Sequence, residues 1–125
     1  MTIDKIREFR LKQSEEKLAI ARRLFEKGDC RNAVVQAYLS IFYSARILLL
    51  EQGHDSDDFE KIVELSRAFF QPSGWLSVDL GTLLEQGRLY HEKLERNCLG
   101  EIEQTEVKQF LENAGKVRDA VIRGK

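Results

Sequence analysis

The stretch that decides the fold is Ala33-Val34-Val35-Gln36-Ala37-Tyr38-Leu39-Ser40-Ile41-Phe42-Tyr43-Ser44-Ala45-Arg46-Ile47-Leu48-Leu49-Leu50. Its apolar residues recur every three or four positions rather than every two, which is the period of a helix. Val34, Ala37, Tyr38, Ile41, Phe42, Ala45, Leu48 and Leu49 share one face. The other face, with Gln36, Leu39, Ser40, Tyr43, Ile47 and Leu50, is only partly polar. A helix that is apolar nearly all round has to be covered on both sides. This helix is therefore predicted to be the centre of the fold, or to meet its own core on one side and a partner on the other. Gln36, Ser40, Ser44 and Arg46 interrupt it, and the stretch falls just short of a bilayer span, so no membrane helix is expected. Asp29 stands before it as N-cap and Gly53 after it as terminator, which predicts a helix from about Cys30 to Gln52.

Working outward, Gly28-Asp29, Gly53 to Ser56, Pro72-Ser73-Gly74 and Gly100 divide the chain into five segments, each reading as helix. The first is predicted from about Ile3 to Lys27, with Thr2 as N-cap and a stripe of Ile6, Phe9, Leu18, Ala21, Leu24 and Phe25. That stripe thins between Leu11 and Leu18, which predicts loosely held first turns. The third, from about Asp57 to Phe70, is shorter. The fourth is predicted to start after Ser77 as N-cap and to end near Asn97. It contains Gly81 and Gly87, each costing about 1 kcal/mol of helix propensity against alanine. Close approach of a neighbouring helix is the usual reason for such a glycine. The fifth runs from about Thr105 to Arg123 with Val107, Phe110, Leu111, Ala114, Val117 and Val121 on one side. The expected fold is all-α: an up-down bundle of four main helices plus a shorter one, in a single domain over residues 1–125.

Composition excludes several function classes. The 125 residues suit one domain, and 42% hydrophobic with 33% charged residues is a globular balance. A net charge of −1 argues against a strongly basic nucleic-acid glove. The charge is uneven, however: residues 1–50 carry 10 basic and 6 acidic groups, and residues 51–125 carry 10 basic and 15 acidic. Such a split fits a basic face on the first two helices or an electrostatically guided dimer. Two cysteines, Cys30 and Cys98, make no C-x-x-C and fit a reducing compartment. Cys30 lies in a helix first turn but has no base beside it in sequence, so no nucleophilic role is expected. The opening Met1-Thr2-Ile3-Asp4-Lys5 is charged and lacks the apolar run of a secretory leader, so a cytoplasmic location is expected.

Enzymatic motifs are sparse. The chain has two histidines, His54 and His91, and no H-E-x-x-H, Walker loop, G-x-G-x-x-G or G-x-S-x-G. His91 and Glu95 form only an i, i+4 pair, so no metal site and no cofactor are expected. The densest polar group is Arg88, His91, Glu92, Glu95 and Arg96. Arg88 can reach His91 and Glu92 along one helix face, either as a surface charge ladder or as an Arg–His pair facing a phosphate. A second group is Gln36, Ser40, Tyr43 and Arg46, which could line a polar cleft against the fourth helix. Arg46 in so apolar a helix requires a carboxylate or carbonyl partner.

The stretch from Leu24 through Gly28-Asp29-Cys30-Arg31-Asn32-Ala33-Val34 into Gln36-Ala37-Tyr38-Leu39-Ser40-Ile41-Phe42-Tyr43-Ser44-Ala45-Arg46-Ile47-Leu48-Leu49 resembles the signature of HEPN-domain proteins. Phe59, Phe69-Phe70, Gly74, Leu84 and Arg88 resemble that family's third and fourth helices, and the likeness covers roughly residues 15–120. It implies a helical bundle that usually homodimerises. It also implies one of two roles: a metal-independent ribonuclease toxin, or a nucleotide- or RNA-binding module working beside a nucleotidyltransferase partner protein. Ribonuclease members carry Arg, four to six residues, then His. Here His91 follows Arg88 after only two residues, Arg46 and His54 have seven between them, and Leu39 and Tyr43 replace a tyrosine and a histidine of the pattern.

The leading expectation is a non-catalytic, dimeric binding module for a nucleotide, RNA or a nucleotidyltransferase partner. Gln36, Ser40, Tyr43, Arg46 and Arg88 are its candidate ligand-binding residues. Leu39, Tyr43, Ile47 and Leu50 are its candidate interface. The alternatives are a ribonuclease toxin using Arg88 and His91, and a structural interaction module without ligand.

Overall fold

The structure, a computed structural model, describes residues 2–95 and 103–124. The expected fourth-helix end near Asn97, the break at Gly100, the Glu92–Arg96 pair and Cys98 lie outside the described residues. The described residues form five α-helices and no strand: α1 (Ile3–Glu26), α2 (Cys30–Glu51), α3 (Phe59–Phe69), α4 (Leu80–Glu95) and α5 (Gln104–Arg123). This is the predicted all-α bundle, with α3 as the short helix.

Local chemistry sets the helix ends. Thr2 Oγ1 accepts from the Lys5 amide at 3.2 Å, and the Asp29 carboxylate accepts from the Asn32 amide at 3.2 Å, so both predicted caps are in place. Gly28 and Gly53 end α1 and α2 at φ of 84° and 82°, a left-handed backbone that a side chain would strain. The fourth helix is capped differently from the expectation. Asp79, not Ser77, accepts from the Thr82 amide at 3.1 Å, which delays the start to Leu80.

α2 is the centre. It packs against α1, α3, α4 and α5, and its contact with α1 is the largest in the fold. Ala33, Val34, Ala37, Ile41, Ala45, Ile47, Leu48 and Leu49 are all buried. By length and apolarity alone α2 could cross a bilayer, yet those apolar positions are enclosed by its neighbours.

The α1–α2 contact corrects two expectations. Phe9, assigned to the core stripe, is 60% exposed, while the polar Ser14 is fully buried. Ser14 Oγ lies 3.0 Å from the Ser40 hydroxyl and carbonyl and 2.7 Å from the Ser44 hydroxyl. Three small hydroxyls thus satisfy one another inside the α1–α2 seam. Nor are the first turns of α1 loose. Arg7 donates to Glu51 at 2.6 Å and to the Val121 carbonyl at 2.8 Å, and Arg10 forks onto Asp55 at 3.1 and 2.9 Å. Leu89 of α4 and Phe69 of α3 are also exposed rather than packed in the core, Phe69 lying against the His54 ring.

The glycines of α4 are explained by close approach. A Cβ on Gly87 would fall 2.3 Å from Cδ1 of Tyr38, and one on Gly81 2.5 Å from the Arg67 Cγ. Gly87 therefore lets the Tyr38 ring of α2 lie directly on the α4 backbone.

Candidate functional site

The predicted site residues separate into two centres and a buried remainder. The first centre is Arg88, carried by α4 immediately after Gly87. Its guanidinium donates to Glu60 of α3 at 2.5 Å and to Glu85 at 2.8 Å, and lies 3.8 Å from Glu92. It also sits 5.0 Å over the Phe59 ring, a cation–π distance. Phe59 stacks on Phe42 and meets Tyr38 edge-on, so the platform under the guanidinium is aromatic. Desolvation lowers the Arg88 pKa, but Glu60, Glu85 and Glu92 outweigh it and hold the guanidinium above its usual value. Burial pushes the neighbouring Tyr38 hydroxyl up to about 12, so it stays protonated across physiological pH.

His91 is not drawn into this centre. It pairs with Glu95 at 3.6 Å, one turn further on, as the i, i+4 spacing predicts. In place of the Arg88–His91 pair considered from the sequence, Arg88 is held by carboxylates and His91 lies beside Glu95.

The second centre lies between α1 and α2. Arg46 reaches Asp55 in the α2–α3 connection at 3.2 Å, and Arg10 of α1 holds both oxygens of the same carboxylate. Burial pushes the Asp55 carboxyl up, but the two guanidiniums outweigh it and hold it below the usual carboxylate range. Arg46 Nε is buried and has no hydrogen-bond partner among the described residues. Beside this group a groove of about 850 Å3 opens along α1, with Ile6, Phe9 and Tyr43 on its walls and Lys5, Arg10, Lys12 and Arg46 around them. Glu8 is the one acid that lines it.

The cleft predicted against the fourth helix is therefore a groove against the first. Tyr43 and Arg46 line it, whereas Ser40 is fully buried in the hydroxyl cluster. Gln36 is half-buried with its side-chain oxygen unpartnered among the described residues, and it does not line the groove. Arg88 shares no partner with Arg46. Of the candidate interface residues, Ile47 is completely enclosed within the protomer and cannot meet another subunit. Leu39, Tyr43 and Leu50 are half-buried. Sequence reasoning missed Lys5, Phe9, Arg10 and Lys12. The charge surplus of the first fifty residues was their only trace.

Among the described residues no cluster of three or more His, Cys, Asp or Glu side chains could hold a metal ion.

A five-helix bundle built on this α2, with its glycine-backed Arg88, has the architecture expected of a HEPN domain. The HEPN-domain family model matches residues 7–124, nearly the whole chain, and the protein belongs to that family. Among curated relatives it is 33% identical over 66 residues to a UPF0332 protein of Pyrococcus horikoshii, covering 53% of this chain and 46% of that one. It is 31% identical over 71 residues to a Methanocaldococcus jannaschii protein named "Putative toxin MJ0605", covering 57% of this chain and 53% of that one. The chain spans about half the length of the curated relatives it matches.

Proposed function

We propose that this HEPN protein is a non-catalytic, cytoplasmic binding module for a nucleotide or RNA, acting as a dimer. The observation that supports this over catalysis is the state of Arg88. Three carboxylates surround the one arginine that matches the family's ribonuclease pattern. A phosphate entering there would meet a net negative centre, and transition-state charge would have to compete with Glu60 and Glu85 for the guanidinium. His91, turned to Glu95, supplies no base beside it. A nucleotidyltransferase partner protein remains the other occupant that the family resemblance implies.

The dimer contact we propose is the outer face of α2 at Leu39 and Leu50, which stay half-buried, with Tyr43 left to the groove beside Arg46. Sedimentation at micromolar concentration should give a dimer. A monomer would contradict that contact.

The relative named as a toxin favours a second reading, ribonuclease activity through Arg88 and His91. One assay separates the two. Single-stranded RNA and transfer RNA are incubated in EDTA with the wild-type protein and with Arg88→Ala. The module reading expects intact RNA in both. Cleavage by the wild type that disappears in the variant would establish the ribonuclease.

A further inference from the structure

We infer that the α1–α2 groove is the ligand site of this protein, and that its ligand is a phosphate-bearing nucleobase: a nucleotide, or one unit of single-stranded RNA. The inference rests on the binding-module reading and gives it a place. Single-stranded nucleic acid is held by aromatic faces that stack on bases and by cations that follow the phosphates. The groove offers both. Phe9 is 60% exposed on the outer side of α1, between the exposed Glu8 and Lys12. Tyr43 lies across the groove from α1.

The cations are available. Arg10 and Arg46 share the single Asp55 carboxylate, which leaves a positive surplus and the Arg46 Nε without a partner. Among the described residues neither Lys5 nor Lys12 is held in an ion pair. Four cations therefore face Glu8 and Asp55, and an anion is attracted.

The groove volume, about 850 Å3, lies within the ~300–1,000 Å3 of small-molecule sites. A second copy is the less fitting occupant. A two-fold contact centred on the groove would set its cationic lining against the same lining of the other copy, and like charges across an interface are repulsive.

The test uses the full chain and a fluorescent single-stranded oligoadenylate, with AMP as competitor, at several salt concentrations. Variants are Phe9→Ala and Lys12→Glu, with Lys116→Glu on the exposed side of α5 as the charge-matched control. Phe9 and Lys12 are exposed, so circular dichroism should show both variants folded. The expected result is that Phe9→Ala weakens binding about ten-fold, as loss of one stacked base does. Lys12→Glu should weaken it and reduce the salt slope by about one, while Lys116→Glu leaves both unchanged. Competition by AMP would identify a nucleotide pocket, and failure of AMP against a bound oligonucleotide would identify an RNA strand. Binding unaffected by Phe9→Ala and Lys12→Glu would overturn the groove assignment and leave the binding module standing. No binding by the wild type would overturn both. Dissociation of a dimer by Lys12→Glu, with oligonucleotide binding unchanged, would give the groove to a second copy and overturn the assignment.

Discussion

Two arginine centres sit on either side of α2, and their stoichiometry is opposite. On the α3–α4 side one arginine, Arg88, is shared by Glu60, Glu85 and Glu92. On the α1 side two arginines, Arg10 and Arg46, share one carboxylate, Asp55. The first centre has its cation oversubscribed, and the second has cation to spare. The residue type is the same, but only the second can receive an anion without first expelling one. Counting partners around an arginine thus says more about ligand binding than finding the arginine in a motif.

The largest effect expected on the α4 side is structural. Gly87→Ala places a methyl 2.3 Å from the Tyr38 ring carbon, and a ring wedged between α2, α3 and α4 has little room to retreat. Overpacking of this kind costs about 1–3 kcal/mol, and the ~1 kcal/mol gained in helix propensity offsets only part of it. Urea denaturation should show a net loss of stability. The matched change Gly115→Ala in α5 meets only the end of the flexible Arg22 side chain at 3.0 Å, so it should be neutral or stabilising. Equal behaviour of the two variants would show that the α2–α4 contact is not glycine-dependent, and the backing of Arg88 would need another explanation.

The contrast between the two centres was only half legible in the sequence. α2 could be read because its apolar positions outnumber its polar ones on every side and because Asp29 and Gly53 bracket it. The Arg88 centre could be read along its own helix, since Glu85 and Glu92 lie three and four residues away. Glu60 could not, because it comes from α3, and the packing of α3 on α4 is a tertiary fact. The α1 groove was hidden by register. The face of α1 that meets α2 follows Leu11, Ser14, Leu18 and Ala21, at alternating three- and four-residue spacing. Ser14 is a polar letter in an apolar seam. The stripe expected from Ile6, Phe9, Leu18 and Ala21 thins between Leu11 and Leu18, where Ser14 lies. With Ser14 turned inward to Ser40 and Ser44, Phe9 and Lys12 are carried to the outside.

A smaller effect is expected from the ion pairs themselves. The Arg88 side chain is 35% exposed and Glu60 68%, so water and salt screen the pair. A double-mutant cycle of Arg88→Ala and Glu60→Ala should give a coupling of no more than ~1 kcal/mol, falling as salt rises. Arg88→Lys should not restore wild-type stability fully. One ammonium cannot fork onto Glu60 and Glu85 as the guanidinium does while it stays over the Phe59 ring. A large, salt-insensitive coupling would mean that Arg88 is held as a preorganised centre, which would revive the catalytic reading.

The smallest effect, and the one that bears most directly on the second centre, is titration of Asp55. Its folded pKa lies below the ordinary value of 3.8, because Arg10 and Arg46 outweigh its burial. A depressed carboxylate contributes stability that is fully present above the unfolded pKa and is lost as pH falls through the folded one. Acidification below the usual carboxylate range should therefore release the first turns of α1 from the α2–α3 connection. Asp55→Asn should abolish that part of the pH dependence and leave the neutral-pH fold intact. The same change removes the carboxylate that Arg10 and Arg46 share, so both guanidiniums gain free donors. If the groove receives phosphate, Asp55→Asn should bind the oligonucleotide more tightly at neutral pH, where the fold is intact. An Asp55→Asn protein that binds more weakly would mean that the carboxylate serves to position the arginines, and that the pair acts as a fixed structural tie rather than as a reserve of positive charge.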